Sequence, residues 1–98
     1  MKISNRNIGK NNKPFYIAEI SGNHNGKISN AIKLIDVAKW AGADAVKLQT
    51  FLPDKMTLNS NKGRYLVKHA NSKWSKKTLY DLFTKAYTPW EWYPKLKE

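Results

Sequence analysis

Two charged residues interrupt apolar runs where they can meet a ligand. Glu19 stands near the end of Phe15-Tyr16-Ile17-Ala18-Glu19-Ile20, and Lys47 stands inside Ala45-Val46-Lys47-Leu48-Gln49-Thr50. A strand alternates its side chains with period two, so Ile17, Glu19 and Ser21 share one face, and Lys47 and Gln49 share a face in the second run. If the two runs are parallel neighbours, carboxylate and ammonium come within reach of each other. One reading is an ion pair without function, costly to desolvate and poor evidence for stability. The preferred reading is a ligand site, because polar residues at the C-terminal mouth of parallel strands are where α/β folds bind. A lysine there suits a phosphate or a carboxylate.

Asn23 and His24 lie in the next segment, Ser21-Gly22-Asn23-His24-Asn25-Gly26. The composition is that of a turn, with Gly22 and Gly26 free to take positive φ. A ligand contact by Asn23 or His24 and a plain turn are both open readings. One histidine makes no metal site, and His69, the other one, sits in an uninformative loop. No cluster of His, Asp or Glu has ligand spacing. The chain has no cysteine, which excludes disulfide scaffolds, thiolate zinc sites and cysteine nucleophiles. The GxGxxG and GxxxxGK[ST] phosphate loops are absent, and spacing supports no serine–histidine–acid set.

The elements that must carry these residues follow from local patterns. Residues 15–20 and 45–50 read as strands, short and rich in β-branched or aromatic residues. Between them Ser29 can cap a helix running through about Ala41, with Ile28, Ala31, Ile32, Ile35 and Ala38 at helical spacing. Leu34, Val37 and Ala41 widen that stripe, and Gly42 sits where a left-handed C-terminal cap belongs. Strand, helix, glycine and strand in fewer than about forty residues make a βαβ unit with parallel strands and a right-handed crossover.

Beyond it, Pro53-Asp54 ends the second strand, and a basic loop follows with a short strand or turn near Tyr65–Val67. Thr78 opens a short helix with Leu79, Leu82, Phe83 and Ala86 at helical spacing. Thr88-Pro89-Trp90-Glu91 has the pattern of a capping box with proline at the first helical position. Pro94 then means a very short helix or one that restarts there. The aromatics Trp74, Trp90, Trp92, Tyr80, Tyr87 and Tyr93 read as packing anchors rather than a base-stacking set.

At 98 residues the chain is one domain long at most. With 41% hydrophobic and 26% charged residues it is globular rather than disordered. No apolar run approaches the roughly 20 residues of a membrane span, and the N-terminus is not a secretory signal, so a soluble cytoplasmic protein without membrane partners is expected. The formal charge of +11 raises a nucleic-acid or polyanion partner. Yet Arg6 and Arg64 are the only arginines, and the lysines are scattered among asparagines over the whole chain. Nucleic acid is therefore not the expected partner. Two parallel strands are too few for an independent sheet, so the fold class expected is α/β: the first two to three βα units of a (β/α)8 barrel, incomplete in 98 residues where a barrel takes about 250.

The blocks Ala18-Glu19-Ile20-Ser21-Gly22-Asn23-His24-Asn25-Gly26 and Ala41-Gly42-Ala43-Asp44-Ala45-Val46-Lys47-Leu48-Gln49-Thr50 resemble the start of the sialic acid synthase family. Leu48-Gln49-Thr50 running on through Pro53-Asp54 to Met56-Thr57-Leu58, with Tyr87-Thr88-Pro89-Trp90-Glu91-Trp92, leans toward its bacterial pseudaminic acid synthase branch. That resemblance implies a TIM barrel with a small C-terminal antifreeze-like domain, assembled as a homodimer. It implies condensation of phosphoenolpyruvate with an N-acetylated amino sugar and release of phosphate, with a divalent metal, magnesium or manganese, as Lewis acid. Matched residue by residue, Lys47 corresponds to a lysine holding phosphoenolpyruvate and Gln49 to a sugar-side contact. Glu19 corresponds to an acid that positions, or balances the proton of, sugar and water.

The family's metal-binding histidines come from later strands. Residues 1–98 are thus expected to be a partial N-terminal barrel domain, without the metal ligands or the antifreeze-like domain and inactive alone. A sialic acid synthase using N-acetylmannosamine is the rival within the family. A small basic polyanion-binding fragment and a remnant that does not fold are the rivals outside it.

Overall fold

The computed structural model describes residues 1–68 and 73–98; His69 lies outside them. The chain opens with a hairpin the sequence pattern does not announce: β1 (Lys2–Ile3) pairs antiparallel with β2 (Arg6–Asn7). Its two-residue loop begins at Ser4 with φ 52°, the sign that tight hairpin turns require. Arg6 fastens this hairpin to the rest. Its guanidinium donates to Asp44 Oδ1 and to the Pro14 carbonyl, and lies 5.4 Å from the centroid of the Phe15 ring. Asp44 Oδ2 accepts the Tyr16 N–H at 2.8 Å. That backbone bond, helped by Arg6 and Lys13, holds the Asp44 carboxyl below the usual carboxylate range.

The βαβ unit forms as expected, with shifted bounds. β3 (Ile17–Glu19) pairs in parallel with β4 (Ala45–Lys47). The ladder continues one bond each way, from Asp44 N–H to the Tyr16 carbonyl and from Ile20 N–H to the Lys47 carbonyl. Between the strands α1 (Ile28–Trp40) buries Ala31 and Ala38, and Ile20 closes this small core. The stripe is narrower than the sequence pattern suggests: Val37 and Ala41 face solvent, and Trp40 is 88% exposed.

Ser29 does not cap α1. The helix starts at Ile28 after Lys27, with no side-chain cap, because Gly26 at φ 70° turns the chain so that the Lys27 carbonyl already accepts from Asn30 and Ala31. The C-terminal end is as expected. Gly42 takes φ 86°, its N–H bonds the Lys39 carbonyl, and Ala43 N–H bonds the Ala38 carbonyl, a complete Schellman motif.

After β4 come α2 (Pro53–Met56), a 3-10 turn at Gly63–Tyr65, and a single antiparallel bridge between Leu66 and Thr78. Thr78 then caps α3 (Leu79–Ala86) in a full capping box with Asp81. α3 packs on α2, and Phe51 meets Phe83 edge-on at 5.5 Å. A 3-10 turn at Trp90–Trp92 leads into α4 (Tyr93–Leu96), which carries Pro94 in its first turn, so the helix does restart there.

The Cα radius of gyration is 16.6 Å, against about 13 Å for a compact chain of this length. Ile17, on the face it shares with Glu19, is 55% exposed. Among the described residues no helix is long and apolar enough to cross a membrane.

Candidate functional site

The register pairs Glu19 with Lys47 directly, and Lys47 Nζ lies 2.9 Å from Glu19 Oε2. Both side chains are half open to water, at 46% and 61% exposure. The pair is therefore not the costly buried bridge that one reading of the sequence allows. An exposed ion pair contributes at most about 1 kcal/mol, so an incoming anion can take the Lys47 ammonium at little cost. Gln49 stands two residues past the end of β4, half-buried, where no strand partner takes its carbonyl. Thr88 N–H takes it instead, at 2.7 Å.

Asn23 and His24 are held differently. Asn23 is exposed and turns its Nδ2 back to the Ile20 carbonyl at 3.0 Å. His24 is fully buried. Gly26 N–H donates to its Nδ1 at 3.0 Å, and its Nε2 meets Thr88 Oγ1 at 3.4 Å. The Trp92 ring stands edge-on to the imidazole at 5.1 Å, and Asn30 Nδ2 donates to the His24 carbonyl at 3.1 Å. His24 thus packs the loop against the Thr88–Trp92 segment rather than presenting its ring to solvent.

The backbone of this loop departs from the expected glycine roles. Positive φ falls on Ser21, Asn25 and Gly26 but not on Gly22. Gly22 is required for closeness: a Cβ there would lie 2.9 Å from both Cα and Cβ of Ala86.

Thr88 is the residue beside the site whose role the sequence pattern misassigns. It is fully buried, and the turn after it, with Pro89 at its N-cap position, makes no side-chain cap. Nothing local separates it from a capping threonine, since an N-cap residue is extended too; what sets Thr88 apart is its buried contact with His24. Of the aromatics, Trp92 anchors on His24 and the Tyr93 hydroxyl bonds Thr50 Oγ1 at 2.8 Å, as packing anchors should. Trp90 stacks on Tyr93 but remains 62% exposed. Asn25, Gly26, Trp74, Lys85, Tyr87 and Trp92 help to line a cavity of about 460 Å³ that includes none of Glu19, Lys47 and Gln49.

Burial holds the His24 imidazole below its ordinary pKa. The unfolded chain takes up the proton at about pH 6.5, while the folded chain resists it, so the unfolded state binds more protons below that pH. The stability His24 contributes is complete above about pH 6.5 and is lost as pH falls through and below it. The expected result is a melting temperature that drops between pH 7.5 and 5.5 in the native sequence and drops less in His24→Asn. Asp44 has its own window, below about pH 4, which keeps the two effects apart in a pH series of thermal melts.

The sequence profile of the NeuB family matches residues 34–98. Pseudaminic acid synthase of Campylobacter jejuni is 47% identical over 98 residues, the whole of this chain and 27% of that protein. Pseudaminic acid synthase of Helicobacter pylori is 42% identical over 85 residues, 87% of this chain and 24% of that protein. The crystal structure of spore coat polysaccharide biosynthesis protein SpsE from Bacillus subtilis superposes with a TM-score of 0.60 at 35% identity, covering 98% of this chain and 23% of that one. The chain thus spans about a quarter of the length of these relatives. The resemblance read from the two long motifs is borne out, and with it the α/β fold: this chain belongs to the NeuB family.

Proposed function

We propose that this chain supplies the N-terminal βα units of the barrel of a cytoplasmic, homodimeric nonulosonic acid synthase, which condenses phosphoenolpyruvate with a di-N-acetylated amino sugar. The observation that carries this reading is the Glu19–Lys47 pair, in register at the C-terminal ends of parallel strands. It lies in a chain 47% identical along its whole length to a pseudaminic acid synthase. The exposed Ile17 face supports it too, as a face that further strands of a barrel would cover.

In that reaction the methylene carbon of phosphoenolpyruvate forms a bond to the open-chain sugar aldehyde, whose oxygen takes a proton. Water adds to the cation left at the enol carbon, and the tetrahedral intermediate expels phosphate by C–O cleavage. Lys47 leaves its exposed partner to hold the phosphate or carboxylate of phosphoenolpyruvate. Gln49 contacts the sugar. Glu19, released by Lys47, accepts a hydrogen bond from the sugar or from the water that adds. Asn23 and His24 fix the loop beside them.

The divalent metal that the family resemblance implies does not fit the residues described. Among them no three His, Asp or Glu side chains come together, and both ring nitrogens of His24 are engaged. What this chain's own residues supply is binding, orientation and proton balance.

The test is a graft in which residues 1–98 replace the matching 27% of the Campylobacter jejuni enzyme. The graft is expected to release phosphate from phosphoenolpyruvate only when an amino sugar is present, faster with the di-N-acetylated trideoxyhexose than with N-acetylmannosamine. Residues 1–98 alone are expected to release none. A folded graft inert with both sugars overturns the reading.

A further inference from the structure

We propose that Thr88, a residue outside both strands, is a positioning residue for the sugar-side end of the site, acting on Gln49 and on the His24 loop at once. The proposal rests on the synthase reading above for the role of Gln49. Four observations carry it, and none involves Gln49's own side chain.

First, Thr88 and His24 are the two fully buried polar residues among those described. A polar group is taken out of water at a cost unless it is bonded, so a pair of them marks a built contact. Second, the backbone of Thr88 ends what β4 leaves open. Past Lys47 the strand has no parallel partner, and the Gln49 carbonyl would point free; Thr88 N–H closes on it at 2.7 Å. Third, the side chain of Thr88 reaches the other strand's loop. Because Gly26 N–H donates to His24 Nδ1, the proton of the neutral ring stands on Nε2, which therefore donates to Thr88 Oγ1. Fourth, the contact is braced from behind by the Trp92 ring edge and, one step along, by the Tyr93–Thr50 hydroxyl pair.

One residue thus joins the end of β4 to the loop after β3, and it does so through two different atoms. β-Branching stiffens the Thr88 rotamer, so Oγ1 and the backbone N–H keep a fixed relation. Lys47 does not depend on this bridge, because its own carbonyl is bonded by Ile20 N–H inside the ladder. The asymmetry gives the inference its signature: loosening Thr88 disturbs the Gln49 side of the site and spares the Lys47 side.

Two measurements test it. In the graft, Thr88→Val keeps the shape and deletes the acceptor for Nε2–H. It is expected to raise KM for the amino sugar about threefold to tenfold while KM for phosphoenolpyruvate stays within about twofold. Thr88→Ser, which keeps Oγ1, is expected to restore the sugar KM. Unchanged sugar KM in Thr88→Val, or an equal rise in both KM values, overturns the proposal. In residues 1–98, nitrogen-15 shifts of the His24 ring are expected to show a protonated Nε2 and a bare Nδ1. The Gln49 amide signals are expected to move in Thr88→Val. A proton on Nδ1, or Gln49 signals that stay in place, overturns the bridge even where the graft is inert. Failure of the bridge is thereby distinguished from failure of the synthase reading.

Discussion

Lys47→Met in the graft is expected to lower kcat/KM for phosphoenolpyruvate by about two orders of magnitude while leaving the melting temperature nearly unchanged. Methionine keeps the length and apolar stem of the side chain and removes only the charge. In the free protein that charge faces Glu19 in water at 2.9 Å, a pair worth at most about 1 kcal/mol. Around a bound dianion inside a covered site the same ammonium is worth far more. Losing one partner of a desolvated charge pair costs about 2–5 kcal/mol, or roughly 30-fold to several thousand-fold at 1.4 kcal/mol per decade. Lys47→Arg is expected to rescue only part of this, since a planar fork replaces a compact point charge. A loss smaller than about threefold in Lys47→Met, measured by phosphate release, would remove Lys47 from the site.

Gly22→Ala is the substitution expected to cost most in stability. The added methyl would meet the backbone Cα of Ala86 at 2.9 Å as well as its Cβ. No rotamer change relieves a clash with backbone, so α3 must move away from the loop that holds His24. Overpacking of this kind costs about 1–3 kcal/mol, a large fraction of the roughly 5–15 kcal/mol that holds a domain folded. Urea unfolding reads it as a lowered midpoint. Adding Ala86→Gly removes one of the two close atoms and is expected to recover part of the loss. A wild-type midpoint in Gly22→Ala would mean that α3 does not approach this loop in solution.

The parts of the fold legible in the sequence are those where one local pattern and the tertiary structure agree. The short β-branched and aromatic runs 15–20 and 45–50, with one helix between, give the parallel pair that sets Glu19 opposite Lys47. Parity puts Glu19 and Lys47 on matching faces, and the proximity then depends on the strands pairing in parallel, as they do. Thr78 caps α3 as its sequence predicts, because nothing distant competes for its hydroxyl. Thr88 has the same local signature and a different fate. His24, brought 64 residues along the chain, sits opposite its hydroxyl, and a tertiary partner wins over a local cap. The hairpin of residues 2–7 is illegible for another reason. Two-residue strands with mostly exposed side chains have no periodicity to read, and what holds them is Arg6 reaching across to Asp44. The turn and contact readings of His24 were equally open because burial of a loop residue depends on Trp92 and Thr88, which no window around position 24 contains.

The bond between Thr88 N–H and the Gln49 carbonyl has a consequence for how such a chain can change length. It brings the two ends of the excursion through residues 50–87 to within 2.7 Å of each other, so everything between them is a detour that returns to its starting point. Closing a detour costs entropy that rises only with the logarithm of its length, about 0.6 kcal/mol for each doubling. Length can therefore change between α2 and α3 at little cost to the strand ends, while α3 itself is held by the packing of Ala86 on Gly22. The sheet and its charged pair sit on the fixed side of that junction. The sequence between α2 and α3 sits on the side free to change, a natural place for one lineage to elaborate a rim while the strands and α3 stay put.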